Sequence, residues 1–279
     1  MTLLSSLVVY TDLDGTLLDH HSYSHAAAGP ALALLRAHDV PVVLASSKTF
    51  PELAEIASEL ALEYPIIGEN GAFVAWPVAF PLSADFDRER AGYRFRYFGR
   101  SYDGILKVLR LLRRYPGMAF SGFSDWGIDE LMAHTGLERA AAERAAQREA
   151  SEPILWEGSA DDLGVLHRAL EGYGLTLVKG GRFFHVMGPT SKRDAMCWLH
   201  ANIERMQGRE LQMVALGDGP NDMEMLEAAD IAVVVTNPDS DAIAPQARRV
   251  LQTTLAGPAG WNEAMLQIAA EYNDRGQET

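Results

Sequence analysis

Four acidic residues stand in two short runs: Asp12 and Asp14 in Thr11-Asp12-Leu13-Asp14-Gly15-Thr16, and Asp218 and Asp222 in Gly217-Asp218-Gly219-Pro220-Asn221-Asp222. A third polar run, Ser46-Ser47-Lys48-Thr49, offers hydroxyls and a lysine. Each directly follows an apolar stretch: Leu7-Val8-Val9-Tyr10, Met213-Val214-Ala215-Leu216 and Val42-Val43-Leu44 respectively. If those stretches are parallel strands, the polar runs leave the sheet at its carboxyl edge, where open α/β sheets bind ligands. Carboxylates crowded onto one rim repel unless a cation sits among them. Mg2+ suits such a set, because it takes one or two carboxylates together with waters and substrate phosphate oxygens; Asp12 and Asp218 with the Asp14 carbonyl would hold it. No His or Cys neighbours these carboxylates to suggest zinc. A single Asp at a strand end more often caps a turn or a helix. Two such runs, each with glycine allowing close backbone approach, point instead to a ligand site.

The elements that must position these residues are readable from periodicity. The three stretches above, and Ile231-Ala232-Val233-Val234-Val235, are apolar throughout rather than alternating, as in strands covered on both faces. Helical patterns at 30–38, 51–61, 192–206 and 221–228 lie between them, with Pro51 and Pro220 placed as first-turn prolines. Strand and helix in alternation predict an α/β fold with a doubly wound parallel sheet. The middle differs. Tyr93-Arg94-Phe95-Arg96-Tyr97 alternates, helical patterns follow near 102–114, 126–133 and 137–149, and strand-like pieces follow at 154–156, 175–178 and 182–186. This pattern predicts an inserted antiparallel α+β domain, dividing the chain into core (1–80), insertion (81–189) and core (190–279). There is no internal repeat, and Ala-rich 137–150 is a good helix former rather than low-complexity sequence.

Composition bounds the function. With 48% hydrophobic and 22% charged residues in 279, the chain has the balance of a globular protein, near the length at which one core stops growing. A formal net charge of -14 argues against a general nucleic-acid binder, which needs clustered cations. The single cysteine, Cys197, permits no internal disulfide and no thiolate cage, agrees with a reducing compartment, and is expected to be a buried small hydrophobe. The N-terminus lacks a basic region before its apolar stretch, which Asp12 interrupts, so no signal peptide is expected. No apolar run approaches the roughly 20 residues of a membrane span. A cytoplasmic protein with no membrane partner is the expectation.

Asp12-Leu13-Asp14-Gly15-Thr16-Leu17 resembles the first motif of the haloacid dehalogenase superfamily, DxDGT, and Gly217–Asp222 resembles its fourth, GDxxND. Both stand in the superfamily's order with an insertion between. The resemblance implies a Rossmann-like core, an inserted α+β cap of the larger type, and a Mg2+-dependent phosphatase. It implies that Asp12 is the nucleophile, forming an aspartyl phosphate, and that Asp14 is the general acid and base. The catalytic set is completed by Ser46, holding a phosphoryl oxygen, and Lys192, offsetting negative charge. Asp218 would hold the metal, with Asp12 and the Asp14 carbonyl, supported by Asp222, while Asn221 orients the loop. Only four lysines occur against twenty arginines, and Lys48 and Lys192 both fall in these motifs.

Within the superfamily the chain most resembles the mannosyl-3-phosphoglycerate phosphatase family. The segments are Ser46–Thr49, Gly68-Glu69-Asn70-Gly71, Gly181-Arg182-Phe183-Phe184-His185 and Asn237-Pro238-Asp239; Ala72, Gly219 and Ser240 depart from its pattern. The resemblance implies a phosphorylated sugar or glycerate as the small-molecule substrate, bound by Ser47, Lys48, Glu69, Asn70, Arg182, His185 and Asn221. The substrate's carboxylate would fall to Lys48, Arg182 or His185. Arg182 could equally be the solvated face of a strand, His185 a core histidine, and Glu69 with Asn70 a turn. His20, His21 and His25 read as a polar loop. Rival readings are a glucosyl-3-phosphoglycerate, sucrose phosphate or general sugar phosphate phosphatase, a phosphomutase, and a noncatalytic sugar-phosphate sensor.

Overall fold

The computed structural model describes residues 3–180 and 182–277; Gly181, quoted above, lies outside them. The strands are β1 (Leu7–Thr11), β2 (Val42–Ala45), β3 (Ile66–Gly68), β4 (Phe73–Pro77), β5 (Arg88–Arg90), β6 (Tyr93–Tyr97), β7 (Phe120–Gly122), β8 (Ser151–Trp156), β9 (Thr176–Lys179), β10 (Phe184–Met187), β11 (Gln212–Gly217), β12 (Ile231–Thr236) and β13 (Val250–Ala256). The helices are α1 (Gly29–Ala37), α2 (Phe50–Glu59), α3 (Tyr102–Leu112), α4 (Ile128–Thr135), α5 (Arg139–Ala145), α6 (Ala160–Gly172), α7 (Lys192–Gln207), α8 (Met223–Ala228) and α9 (Gly257–Gln277).

One sheet has the order β13-β12-β11-β1-β2-β3-β4-β6-β5; it is parallel from β13 to β3, and β4, β6 and β5 extend it antiparallel. Both faces are covered, which explains the unbroken apolar runs. Leu7 and Val9 of β1 pack in a cluster with Leu216, Val233 and Trp261, while Val8 and Tyr10 pack on the other face with Ala215, Leu199 and Met225. The chain runs outward from β1 through β2 to β3 and returns to β11 on the opposite side, so the strand order reverses at β1. That reversal opens a crevice at the carboxyl ends of β1 and β11. Thr11 is level with both Leu216 and Leu44, so Asp12, Gly217 and Ala45 stand side by side at the carboxyl edge, and Asp218 and Ser46 follow directly.

Two helix starts matter at this edge. The Glu52 carboxylate accepts from the Thr49 N–H at 2.8 Å, the capping-box arrangement ahead of Pro51 in α2. At α7 the cap is reciprocal, the Asp194 carboxylate accepting from the Ser191 N–H and the Ser191 hydroxyl from the Asp194 N–H, which makes Lys192 its first residue. Cys197 is exposed, contrary to expectation: Ala195, Met196, Leu199 and Ile203 occupy the buried side of α7, and residue 197 falls outside that stripe.

A second sheet, antiparallel in the order β7-β8-β10-β9, is packed by α3 and α6 through Ile105, Leu109, Leu112, Leu166 and Leu170. The alternating segment at residues 93–97, expected to open this unit at residue 81, instead pairs with β4, because Phe95 is fully buried in the core of the first sheet beside Phe50 and Phe73. Sheet membership therefore changes after Tyr97 and changes back after Met187. The two crossings touch backbone to backbone: a Cβ on Gly188 would lie 2.6 Å from the Cα of Gly99.

The units are also strapped together near the site. Glu69, buried in the turn after β3, accepts hydrogen bonds from the N–H groups of Glu149 (2.9 Å) and Ala150 (3.1 Å) and from the Ser151 hydroxyl (2.7 Å). Arg148 donates to the Ser47 carbonyl at 2.7 Å, and the Thr49 hydroxyl to the Arg144 carbonyl at 2.9 Å. Replacing Glu69 with alanine orphans three donors at once. Glu69→Ala is expected to lower the unfolding free energy in urea by about 2–4 kcal/mol; a loss below about 0.5 kcal/mol, the scale of a surface substitution, would show that the strap contributes little.

Candidate active site

Asp12 follows the last residue of β1, and its N–H donates to the Leu216 carbonyl at 2.9 Å, which continues the strand pairing one residue further. Behind it the Thr11 hydroxyl donates to the Asp12 carbonyl at 2.7 Å and accepts from the Trp261 indole at 3.0 Å, so α9 braces this turn from below. Asp218 occupies the matching position after β11. Its two oxygens accept from the Thr16 hydroxyl (2.6 Å) and the Asn237 amide (2.7 Å), which fixes the carboxylate from both sides. Gly15 has φ +82°, and a Cβ there would sit 2.5 Å from Asn237 Nδ2 and 2.9 Å from Asp218 Oδ2; no other residue type fits this turn without displacing them.

Lys192 joins these pieces. Its ammonium, 2% exposed as a residue, donates to Asp12 Oδ1 at 2.5 Å and to Asp222 Oδ1 at 2.7 Å. The other oxygen of Asp222 accepts from the N–H groups of Asp218 and Gly219, both at 3.2 Å. Burial opposes the lysine's charge, but Asp12 and Asp222 outweigh it and hold its pKa well above the usual range. The carboxylates are less well served. Burial, then the charge of Asp222, raises the pKa of Asp12 despite Lys192, and the same two causes raise that of Asp218. Carboxylate oxygens of Asp12, Asp218 and Asp222 all lie within 4.8 Å of one another. Three carboxylates against one ammonium leave a deficit of positive charge, and an all-oxygen donor set with that deficit fits a hard divalent cation such as Mg2+. The side chain of Asp14 stands outside this group; its Oδ2 pairs with Lys48 at 2.9 Å, and its buried Oδ1 has no hydrogen-bond partner.

The acidic edge forms one wall of a cavity of about 370 Å³, and the second sheet contributes the facing wall. Among the expected residues, Asp12, Asp14, Ser47, Asn70, His185, Asp218 and Asn221 line it. Ser46 is buried just behind, where its hydroxyl accepts from the Lys48 N–H at 3.3 Å. Three expectations require correction. Glu69 spends its carboxylate on residues 149–151 and does not reach the cavity. Arg182 is exposed and donates to the His134 carbonyl at the end of α4, completing a helix terminus rather than facing the cavity. His185 is no cation: burial, then the positive charges of Arg148 and Lys192, lowers its pKa to about 3. Lys48, the remaining expected carboxylate partner, is committed to Asp14.

Thr16, Asn237, Trp261 and Lys179 were not among the expected site residues. Asn237 directly follows strand β12, so the strand-end rule that drew attention to Asp12 would also have found it. Trp261 reaches Thr11 across 250 residues of sequence and carries no local signal. Lys179 ends β9 on the cavity's facing wall.

Residues 9–93 and 191–255 match the family of haloacid dehalogenase-like hydrolases. Over 273 residues the chain is 35% identical to a glucosyl-3-phosphoglycerate/mannosyl-3-phosphoglycerate phosphatase of Methanococcoides burtonii, covering 96% of this chain and 98% of that one. Its fold is similar to a haloacid dehalogenase-like hydrolase from Bacteroides thetaiotaomicron (TM-score 0.63, 18% identity, 94% of this chain and 99% of that one). It is also similar to the sucrose-phosphatase of Synechocystis sp. PCC6803 (TM-score 0.60, 13% identity, 96% and 98%).

The state of His185 has a measurable consequence. An imidazole in the unfolded chain titrates near about 6.5, well above its folded value of about 3. Between those values protons bind the unfolded chain in preference, so the stability contributed by this group is present above pH 6.5 and is lost as pH falls toward 3, at about 1.4 kcal/mol per pH unit. Replacement by glutamine removes that slope. The drop in unfolding free energy from pH 6 to pH 4 is expected to be smaller in His185→Gln by about 2–3 kcal/mol; equal drops would mean that His185 is charged in the folded protein.

Proposed function

The chain belongs to the haloacid dehalogenase-like hydrolases, and from that premise we propose that it is a Mg2+-dependent phosphatase of sugar phosphoglycerates, with mannosyl-3-phosphoglycerate as substrate. The products would be mannosylglycerate and inorganic phosphate. The observation that carries the reading is the buried convergence of Lys192 on Asp12 and Asp222, with Asp218 beside them at the carboxyl ends of β1 and β11. The glucosyl ester is the second reading, because the Methanococcoides burtonii relative is named for both sugars.

In the proposed reaction a carboxylate oxygen of Asp12 attacks phosphorus and the bond from phosphorus to the 3-oxygen of the glycerate breaks, leaving an aspartyl phosphate. Asp14 delivers a proton to the departing oxygen. It then takes a proton from a water, which attacks phosphorus and breaks the bond to Asp12. Lys192 keeps Asp12 oriented and offsets charge on the phosphoryl group. The Ser46 hydroxyl, with Ser47 beside it, holds phosphoryl oxygens. Asp12 and Asp218, with Asp222 behind them, would hold Mg2+, which when bound neutralises negative charge on nucleophile and phosphate. Thr16 and Asn237 position Asp218 for that role. The four-stranded unit acts as a cap: it excludes water from the cavity and, through His185, presents the leaving group with a neutral hydrogen-bonding surface opposite Asn70 and Asn221.

Phosphate release from mannosyl- and glucosyl-3-phosphoglycerate, sucrose phosphate and hexose phosphates, with and without Mg2+, tests substrate and cofactor together. Release is expected from the phosphoglycerate esters and to require the metal; preferential release from hexose phosphates would overturn the substrate. Asp14→Asn is expected to lower kcat by roughly 10² to 10⁴, and Asp12→Asn to abolish turnover with the fold retained. Substantial turnover by Asp12→Asn would remove it as nucleophile.

A further inference from the structure

The substrate proposed above carries a carboxylate on its leaving group, and the three cations expected to bind it are engaged elsewhere or uncharged. Resting on that reading of the substrate, we propose that Lys179 is the specificity-determining residue that reads the carboxylate, exchanging its partner Asp241 for the substrate.

Among the described residues lining the cavity, Lys179 is the only lysine or arginine. It ends β9 on the cap side and faces the loop after β12, where its Nζ lies 3.9 Å from Asp241 Oδ2, with the two side chains 69% and 80% exposed. An ion pair so long and so exposed is worth about 0–1 kcal/mol, so giving it up costs little. The neighbouring cations are not available in this way. Lys192 is buried between two carboxylates, Lys48 is 2.9 Å from Asp14, Arg148 is bonded to the Ser47 carbonyl and Arg182 to that of His134.

The rest of the wall makes a cation necessary. Asp239 and Asp241 line the cavity together with the catalytic acids, so an anionic leaving group would meet repulsion there unless a positive charge were supplied. Asn70 and His185 line it as buried residues whose Oδ1 and Nδ1 atoms lack hydrogen-bond partners. Such neutral groups suit sugar hydroxyls, and do not offset a carboxylate. Lys179 is therefore the side chain left to match the second charge of the substrate. Because Lys179 belongs to the cap and Asp241 to the core sheet's loops, the exchange would also favour a cap seated over a carboxylate-bearing substrate.

The test compares mannosyl-3-phosphoglycerate with its carboxyl methyl ester, which keeps the phosphate and the sugar and removes the charge. In Lys179→Ala the ratio of kcat/KM for the acid over that for the methyl ester is expected to fall about tenfold or more, chiefly through KM for the acid. Lys179→Arg is expected to restore most of the ratio, and in Asp241→Asn the KM for the acid does not rise. A ratio unchanged in Lys179→Ala, with the wild type active on the acid, overturns this assignment alone, and a raised KM in Asp241→Asn overturns the exchange. Failure of the wild type to release phosphate from the acid overturns the substrate reading and this inference together.

Discussion

A lysine ammonium held between two buried carboxylates sets the terms for the whole structure. Lys192 begins a helix on one side of the sheet, Asp12 follows a strand at its centre, and Asp222 lies beyond the next strand. A buried charge with a missing partner costs several kcal/mol, so none of the three can stray. The reciprocal cap of Ser191 and Asp194 holds the start of α7, the brace from Trp261 through Thr11 holds the turn at Asp12, and the N–H groups of residues 218 and 219 hold Asp222. Even so, the single ammonium does not balance the group once Asp218 is counted. Burial, and then that imbalance, raises the pKa values of Asp12 and Asp218, and the proposed metal would offset the charge.

Around this fixed centre the two units divide the chemistry. The parallel sheet supplies all of the carboxylates in the cluster and its lysine, while the antiparallel unit supplies Lys179, Gly180 and the neutral imidazole of His185. The neutrality of His185 follows first from its burial and then from Arg148 and Lys192, to whose positive charges an imidazolium would add like charge. The strap from Glu69 to residues 149–151 runs beside Asn70, so the contact that seats the second unit also sets one cavity wall.

Much of this was legible in the sequence, for physical reasons. Strands buried on both faces must be apolar throughout, which marked β1, β2, β11 and β12, and the polar residues that follow them are those the sheet presents at its edge. What escaped depended on partners distant in sequence. The alternation of residues 93–97 identified a strand but not its sheet, which Phe95 decides by packing on Phe50 and Phe73. Arg182 and His185 have the residue types of anion ligands; a helix end claimed the first and burial removed the charge of the second. Glu69 has the residue type of a site carboxylate, but it answers backbone donors that no local pattern reveals.

The charge imbalance at Asp12, Asp218 and Asp222 is tested most directly by calorimetric titration of the full-length chain with Mg2+, for the wild type and for Asp218→Asn. Saturable binding to the wild type, weakened about tenfold or more in the folded variant, is the expected result. An unchanged affinity in Asp218→Asn, or a wild-type chain that does not bind the ion, would contradict it.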